Sequence, residues 1–171
     1  MQTDVDSMGI SAAVFRDAMA RFTTSISAVT TTDGTSPAGV LATSVCSLSA
    51  APPTILACIN KEASVHDTIV RCGVFAVNLL SDRQRHIAER FISESGSARF
   101  DPSTWRAGPG GVPMLAESVA SLACRLLALH EGYSHSILVG EIVDTILDDA
   151  LDGSPLLWHR RGFSSALVPK T

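Results

Sequence analysis

No run of about 18 uncharged apolar residues occurs in this 171-residue chain, which leaves no segment suited to spanning a membrane as a helix. Basic residues are missing from Met1 to Ile10, where Asp4 and Asp6 stand instead. That stretch is unlike a secretory signal and reads as a flexible N-terminus of a cytoplasmic protein. Charge is scarce as well, at 18%, and the net charge of −4 offers no general attraction to nucleic acid or to an anionic membrane. The basic residues are scattered, the densest pairs being Arg83/Arg85 and Arg160/Arg161. Neither C-x-x-C nor any His/Cys ligand spacing is present. Cys46, Cys58, Cys72 and Cys124 therefore read as free thiols in a reducing compartment, with no metal expected.

Several catalytic signatures are also missing. Gly108-Pro109-Gly110-Gly111 follows no strand and opens no helix, so it is neither a dinucleotide fingerprint nor a P-loop. The Ser/Thr cluster around Thr43 has no G-x-S-x-G elbow. Asp144, Asp148, Asp149 and Asp152 lack the spacing of a calcium loop and read as a solvated turn.

What the chain does have is hydrophobic residues, at 46%. With no span indicated, that share implies apolar surface buried against a partner, as in a soluble oligomer. The length suits one domain over 1–171. Ser11 can cap a helix to about Phe22, with Val14, Phe15, Ala18, Met19 and Phe22 forming one apolar stripe. Strands are predicted over 25–32, 38–48, 54–59 and 74–80, with a helix over 62–71 and another capped by Ser81. The segment 93–111 is polar and rich in Gly, Pro and Ser, a long and mobile loop near the site. Long strands over 118–130 and 136–147, a polar turn over 148–154 and a last strand over 156–158 follow. Six or seven strands with short helices between them predict a mainly β, largely antiparallel barrel.

Three stretches could carry chemistry. Gly39 to Ser49 is rich in small side chains, which let a flat ligand approach the backbone, and Thr43 and Ser44 add hydroxyls. Cys58-Ile59-Asn60-Lys61-Glu62-Ala63-Ser64 sits where a strand gives way to a helix, a place suited to phosphate. His135 stands at the entrance to an otherwise apolar strand. Alone, the first stretch is better read as an ordinary edge strand and the third as a loop-bonding histidine, and the second fits a plain strand exit as well as a phosphate site.

Taken in order, they resemble the short-chain flavin reductases, the reductase components of two-component flavin-dependent monooxygenases such as the 4-hydroxyphenylacetate hydroxylase system. The resemblance runs from Phe15-Arg16-Asp17-Ala18-Met19 to about Leu167. Its markers are Val45-Cys46-Ser47 with Pro52-Pro53, Cys58-Ile59-Asn60 with Ser64, and Val77-Asn78 with Leu80 and Gln84. Phe91, Trp105, the stretch from His135 to Glu141 and Pro155-Leu156-Leu157 complete them.

The resemblance implies an FMN-binding split barrel and a homodimer. It implies FAD or FMN, with NADH or NADPH as donor and a separate oxygenase that receives reduced flavin. Gly39, Val40, Leu41, Thr43, Ser44, Val45 and Cys46 would line the flavin, and Asn60, Lys61 and Ser64 would lie by its phosphate. Phe163 would pack beside the site. His135 would stand near the ring and the nicotinamide, orienting rather than transferring protons. Tyr133-Ser134 replaces the Gly-Asp that many relatives carry before this histidine, and Leu41 replaces a frequent Thr. No clear arginine cluster for a 2′-phosphate is visible, which leans to NADH. Two other readings stay open: a split-barrel oxidoreductase with a different substrate, and a flavin-binding protein without reductase activity.

Overall fold

The computed structural model describes residues 9–147 and 154–166. The helix α1 (Ala12–Met19) comes first, capped by Ser11, whose Oγ accepts from the Val14 N–H at 3.3 Å. Its apolar stripe exists but is not buried: Val14, Phe15, Met19 and Phe22 are all largely exposed. The predicted strand over 25–32 divides at Ile26. The short β1 (Thr24–Ser25) and the longer β2 (Ser27–Thr32) belong to different sheets.

After the Asp33-Gly34 turn, the predicted strand over 38–48 is broken into β3 (Pro37–Ala42) and β4 (Val45–Ala50). The main sheet requires that break. Its order is β3-β2-β6-β9-β10-β5-β4, where β5 is Pro53–Asn60, β6 Val74–Leu79, β9 Ala120–Gly132 and β10 His135–Leu147. The two edge strands, β3 and β4, are thus consecutive in the chain and joined only by Thr43 and Ser44. A two-residue link cannot cross an open seven-stranded sheet, so the sheet curls until its edges approach one another. Its concave side encloses Val29, Ile55, Ile59, Phe75, Val77 and Leu138. The helix α2 (Ser64–Cys72) contributes Val65 and Ile69 to the same core and ends at Gly73, whose φ of 68° suits a left-handed cap.

A second core lies outside the barrel. Ser81 and Gln84 form a capping box over a 3₁₀ turn that leads into α3 (Arg85–Ser93), as the sequence predicted for Ser81. Ile87, Ala88 and Phe91 of α3 pack with Ile26, Leu80, Trp105 and Leu156. The segment 93–111 is not the long mobile loop expected. It holds a 3₁₀ turn (Gly96–Arg99) and the strand β7 (Trp105–Ala107), which pairs with β8 (Pro113–Leu115). Phe91, Phe100 and Trp105 anchor it, with ring centroids 5.0 to 5.9 Å apart. Arg99 secures it further, donating from Nη1 to the Gly39 carbonyl at 2.7 Å.

The last elements, β11 (Leu156–His159) and β12 (Gly162–Ser165), form a hairpin that pairs with β1. The mainly β architecture with short helices is the one expected, with the small strands β1, β7, β8 and β12 added. The expected turn over 148–154 falls outside the described residues except for Ser154, as do Asp148, Asp149 and Asp152 and most of the expected flexible N-terminus. Among the described residues no helix is long and apolar enough to cross a membrane.

Candidate flavin and nicotinamide site

Where the barrel edges meet, an apolar cavity of about 250 Å³ is lined by Ile26, Leu41, Thr43, Ile92, Trp158 and Phe163. Three of these, Leu41, Thr43 and Phe163, were singled out from sequence. Leu41 reaches it because strand residues alternate sides: Leu41 packs with the outer core, whereas Val40 and Ala42 join the barrel core. Trp158 and Phe163 are register partners across the β11–β12 hairpin and pack edge to face, centroids 5.4 Å apart. The Arg85 guanidinium lies over the Phe163 ring, 5.1 Å from its centroid.

Gly39 has a different setting from the one expected. A Cβ there would come 2.9 Å from Phe91 Cε1 and 3.1 Å from Phe100 Cζ, so its lack of a side chain admits the 93–111 segment. Val45 packs against the barrel core, while Cys46 is exposed.

Asn60, Lys61, Ser64 and His135 gather in a second group. His135 is the register partner of Asn60 on β5, and the Lys61 N–H donates to the Ser134 carbonyl at 3.1 Å. Ser134 Oγ lies 2.9 Å from His135 Nδ1, and Tyr133, 96% exposed, takes a φ of 62° in this tight turn. Asn60 Oδ1 accepts from the Glu62 N–H at 2.9 Å, which shapes the exit from β5. Ser64 opens α2, whose N-cap, Ala63, has no side chain able to cap it. Lys61 is paired with Glu131 of β9.

Ser44 stands between the two groups. Its carbonyl accepts from the Cys58 N–H at 3.0 Å, and its Oγ donates to the Cys58 carbonyl at 3.1 Å, two residues before Asn60. Of the residues picked from sequence, Leu41, Thr43 and Phe163 line the cavity, Ser44 links it to β5, and Asn60, Lys61 and Ser64 stand with His135 at the β5–α2 exit, whereas Gly39, Val40, Val45 and Cys46 lie elsewhere. Trp158, Ile26, Ile92 and Glu131 were missed. Trp158 could have been found from its place five residues before Phe163, flanking a turn. Glu131 immediately precedes the Gly132-to-Glu141 stretch that carries His135, whereas Ile26 and Ile92 reach the cavity only through the fold. Among the described residues no group of three or more His, Cys, Asp or Glu side chains could hold a metal ion.

Residues 19–167 match the flavin reductase like domain family. The chain belongs to that family. It is 35% identical to an FMN reductase (NADH) RutF of Enterobacter cloacae subsp. cloacae, covering 91% of this chain and 94% of that protein. Some RutF relatives are longer: the match spans 63% of one from Methylorubrum extorquens. Among solved structures, the Streptomyces globisporus NADH:FAD oxidoreductase SgcE6, in complex with NAD and FAD fragments, superposes with a TM-score of 0.83. It is 30% identical, covering 92% of this chain and 93% of that one. BorF, the flavin reductase component of a bacterial two-component tryptophan halogenase, gives 0.83 at 28% identity, with 91% and 98% covered.

Proposed function

We propose that this flavin reductase family member oxidises a reduced nicotinamide, with NADH the favoured donor, and passes the hydride to a flavin that then leaves for a separate oxygenase. The observation that carries the reading is the cavity at the barrel edge, with Leu41, Trp158 and Phe163 as apolar walls and Thr43 at its rim. A flavin ring needs that combination of flat apolar contact and polar edge. When bound, the flavin supplies the hydride-accepting chemistry, with nicotinamide C4 as source and flavin N5 as acceptor.

The protein's share is positioning. Leu41 and Phe163 hold the ring, and the hydroxyl of Thr43, in the link between β3 and β4, offers a hydrogen bond at its edge. Asn60, Lys61 and Ser64 hold the flavin phosphate, for which Lys61 exchanges its pairing with Glu131. His135, steadied by Ser134, orients the nicotinamide and transfers no proton. The name RutF favours FMN, SgcE6 binds FAD fragments, and both favour NADH. BorF serves a separate flavin-using enzyme, which favours the same arrangement here.

A homodimer is part of the reading. The exposed Val14, Phe15, Met19 and Phe22 of the α1 region, and Leu127, Leu129 and Val143 on the long strands, are apolar surface of the kind a second copy covers. A cytoplasmic location is part of the reading as well, favoured by a diffusible nucleotide substrate and by thiols that suit a reducing compartment.

Steady-state NADH oxidation with FMN or FAD as acceptor tests it. Phe163→Ala is expected to raise the flavin KM more than it lowers kcat, and His135→Ala to weaken nicotinamide binding. Wild-type protein that oxidised no NADH with either flavin would refute the proposal.

A further inference from the structure

We infer that Arg21, Arg160 and Arg161 form a phosphate-binding pocket that holds a phosphate group of a nucleotide substrate at the tip of the hairpin carrying Trp158 and Phe163. The inference rests on the nucleotide chemistry proposed above. The three arginines line a cavity of about 340 Å³ together with Asp17 and Ala20. They come from opposite ends of the chain, and the Arg160 N–H joins the two ends by donating to the Ala20 carbonyl at 2.8 Å.

Charge in this pocket is unbalanced. Among the described residues Asp17 is its one carboxylate, and it pairs with Arg161. Among the described residues neither the Arg21 nor the Arg160 side chain has an ion-pair or hydrogen-bond partner. Guanidinium groups gathered beyond local compensation, in a chain of net charge −4, point to an anion that is absent from the protein itself. Their planar donor forks match phosphate oxygens two at a time.

The turn itself is an unfavourable place for these residues. Arg160 and Arg161 take φ values of 49° and 63°, the left-handed region that Asn-Gly fills readily in such hairpins. Position along the hairpin supplies the rest. Trp158, in the wall of the apolar cavity, is two residues from Arg160, at most about 7 Å of chain. With the flavin phosphate held at Asn60, Lys61 and Ser64, the nucleotide that can carry a phosphate toward the arginines is the nicotinamide stacked on the ring in that cavity, or the second phosphate of FAD.

The test uses the full-length protein with Arg21→Ala/Arg160→Ala and the charge-retaining Arg21→Lys/Arg160→Lys. Inorganic pyrophosphate titrated by calorimetry is expected to bind wild type, to bind the alanine pair at least about tenfold more weakly, and to be partly restored by the lysine pair. Steady-state KM values for NADH, NADPH, FMN and FAD identify the source. A rise for NADPH alone assigns a 2′-phosphate, a rise for both nicotinamides assigns their pyrophosphate, and a rise for FAD but not FMN assigns the second phosphate of FAD.

Unchanged pyrophosphate binding in a variant of native circular dichroism overturns the inference. So does lost pyrophosphate binding with all four KM values unchanged, the result expected if the arginines met an acidic face of another protein. Should the alanine pair not fold, the exposed single variant Arg160→Gln gives the same readouts. Pyrophosphate binding needs no turnover, so a protein that bound it through these arginines but oxidised no NADH would refute the reductase reading and not the anion site.

Discussion

His66 Nε2 and Ser136 Oγ lie 2.9 Å apart and tie the first turn of α2 to the strand that begins with His135. Ser136 is buried, and the other ring nitrogen of His66 lies 2.9 Å from Asp67 Oδ1. The bond links the two sides of the second residue group, because α2 opens at Ser64 and β10 at His135. Ser136→Ala is expected to lower unfolding free energy by about 1–3 kcal/mol in urea titrations, the usual effect of stranding a partly buried polar group. The same variant should raise a nucleotide KM while leaving kcat near wild type, since it loosens placement and removes no reacting group.

Gly39 is expected to tolerate no side chain. With Phe91, Phe100 and the Val29 carbonyl all within 3.1 Å of a Cβ placed there, Gly39→Ala should destabilise by about 1–3 kcal/mol through overpacking. Limited proteolysis should then cut first in the 93–111 segment, whose contact with β3 runs through this position.

Asn78 organises the polar part of the core. It is fully buried, donates to the Ala28 carbonyl at 3.0 Å and accepts from the Leu115 N–H and Ser121 Oγ at 2.8 and 2.7 Å. Asn78→Ala strands several of these groups at once and should cost about 3 kcal/mol or more, measured by chemical denaturation.

Burial pushes the Cys124 thiol up from 9.0 to about 12. The folded value lies above the unfolded one, so this contribution to stability is whole below about pH 9 and is lost as the pH rises toward about 12. Stability of the wild type should fall over that window more steeply than that of Cys124→Ala. In native protein at mildly alkaline pH, alkylation should label the exposed Cys46 and spare Cys124.

How much of this was legible in the sequence depends on the range of the interaction. The Ser81 cap, the helix before Gly73 and the long strands follow from local pattern, and each stands within a few residues of its expected place. The break at Thr43-Ser44 does not, because small residues run straight through it and only barrel closure requires it. The α1 stripe is apolar as read and lies exposed on this chain, since periodicity shows that a face is apolar but not what covers it. Of the site, Leu41, Thr43 and Phe163 do meet, and so do Asn60 and His135. Gly39 was singled out for a ligand but lies beneath two phenylalanines that arrive more than fifty residues later in the chain. The Arg160/Arg161 pair is visible in the sequence, but its meeting with Arg21 is not, for the same reason: Arg21 and Arg160 are neighbours only once the hairpin docks beside the end of α1.

The central claim is tested most directly by mixing the protein anaerobically with NADH and a large molar excess of flavin while following flavin absorbance. Loss of many equivalents of oxidised flavin per protein is the expected result. Reduction of a single equivalent, or of none, would contradict it.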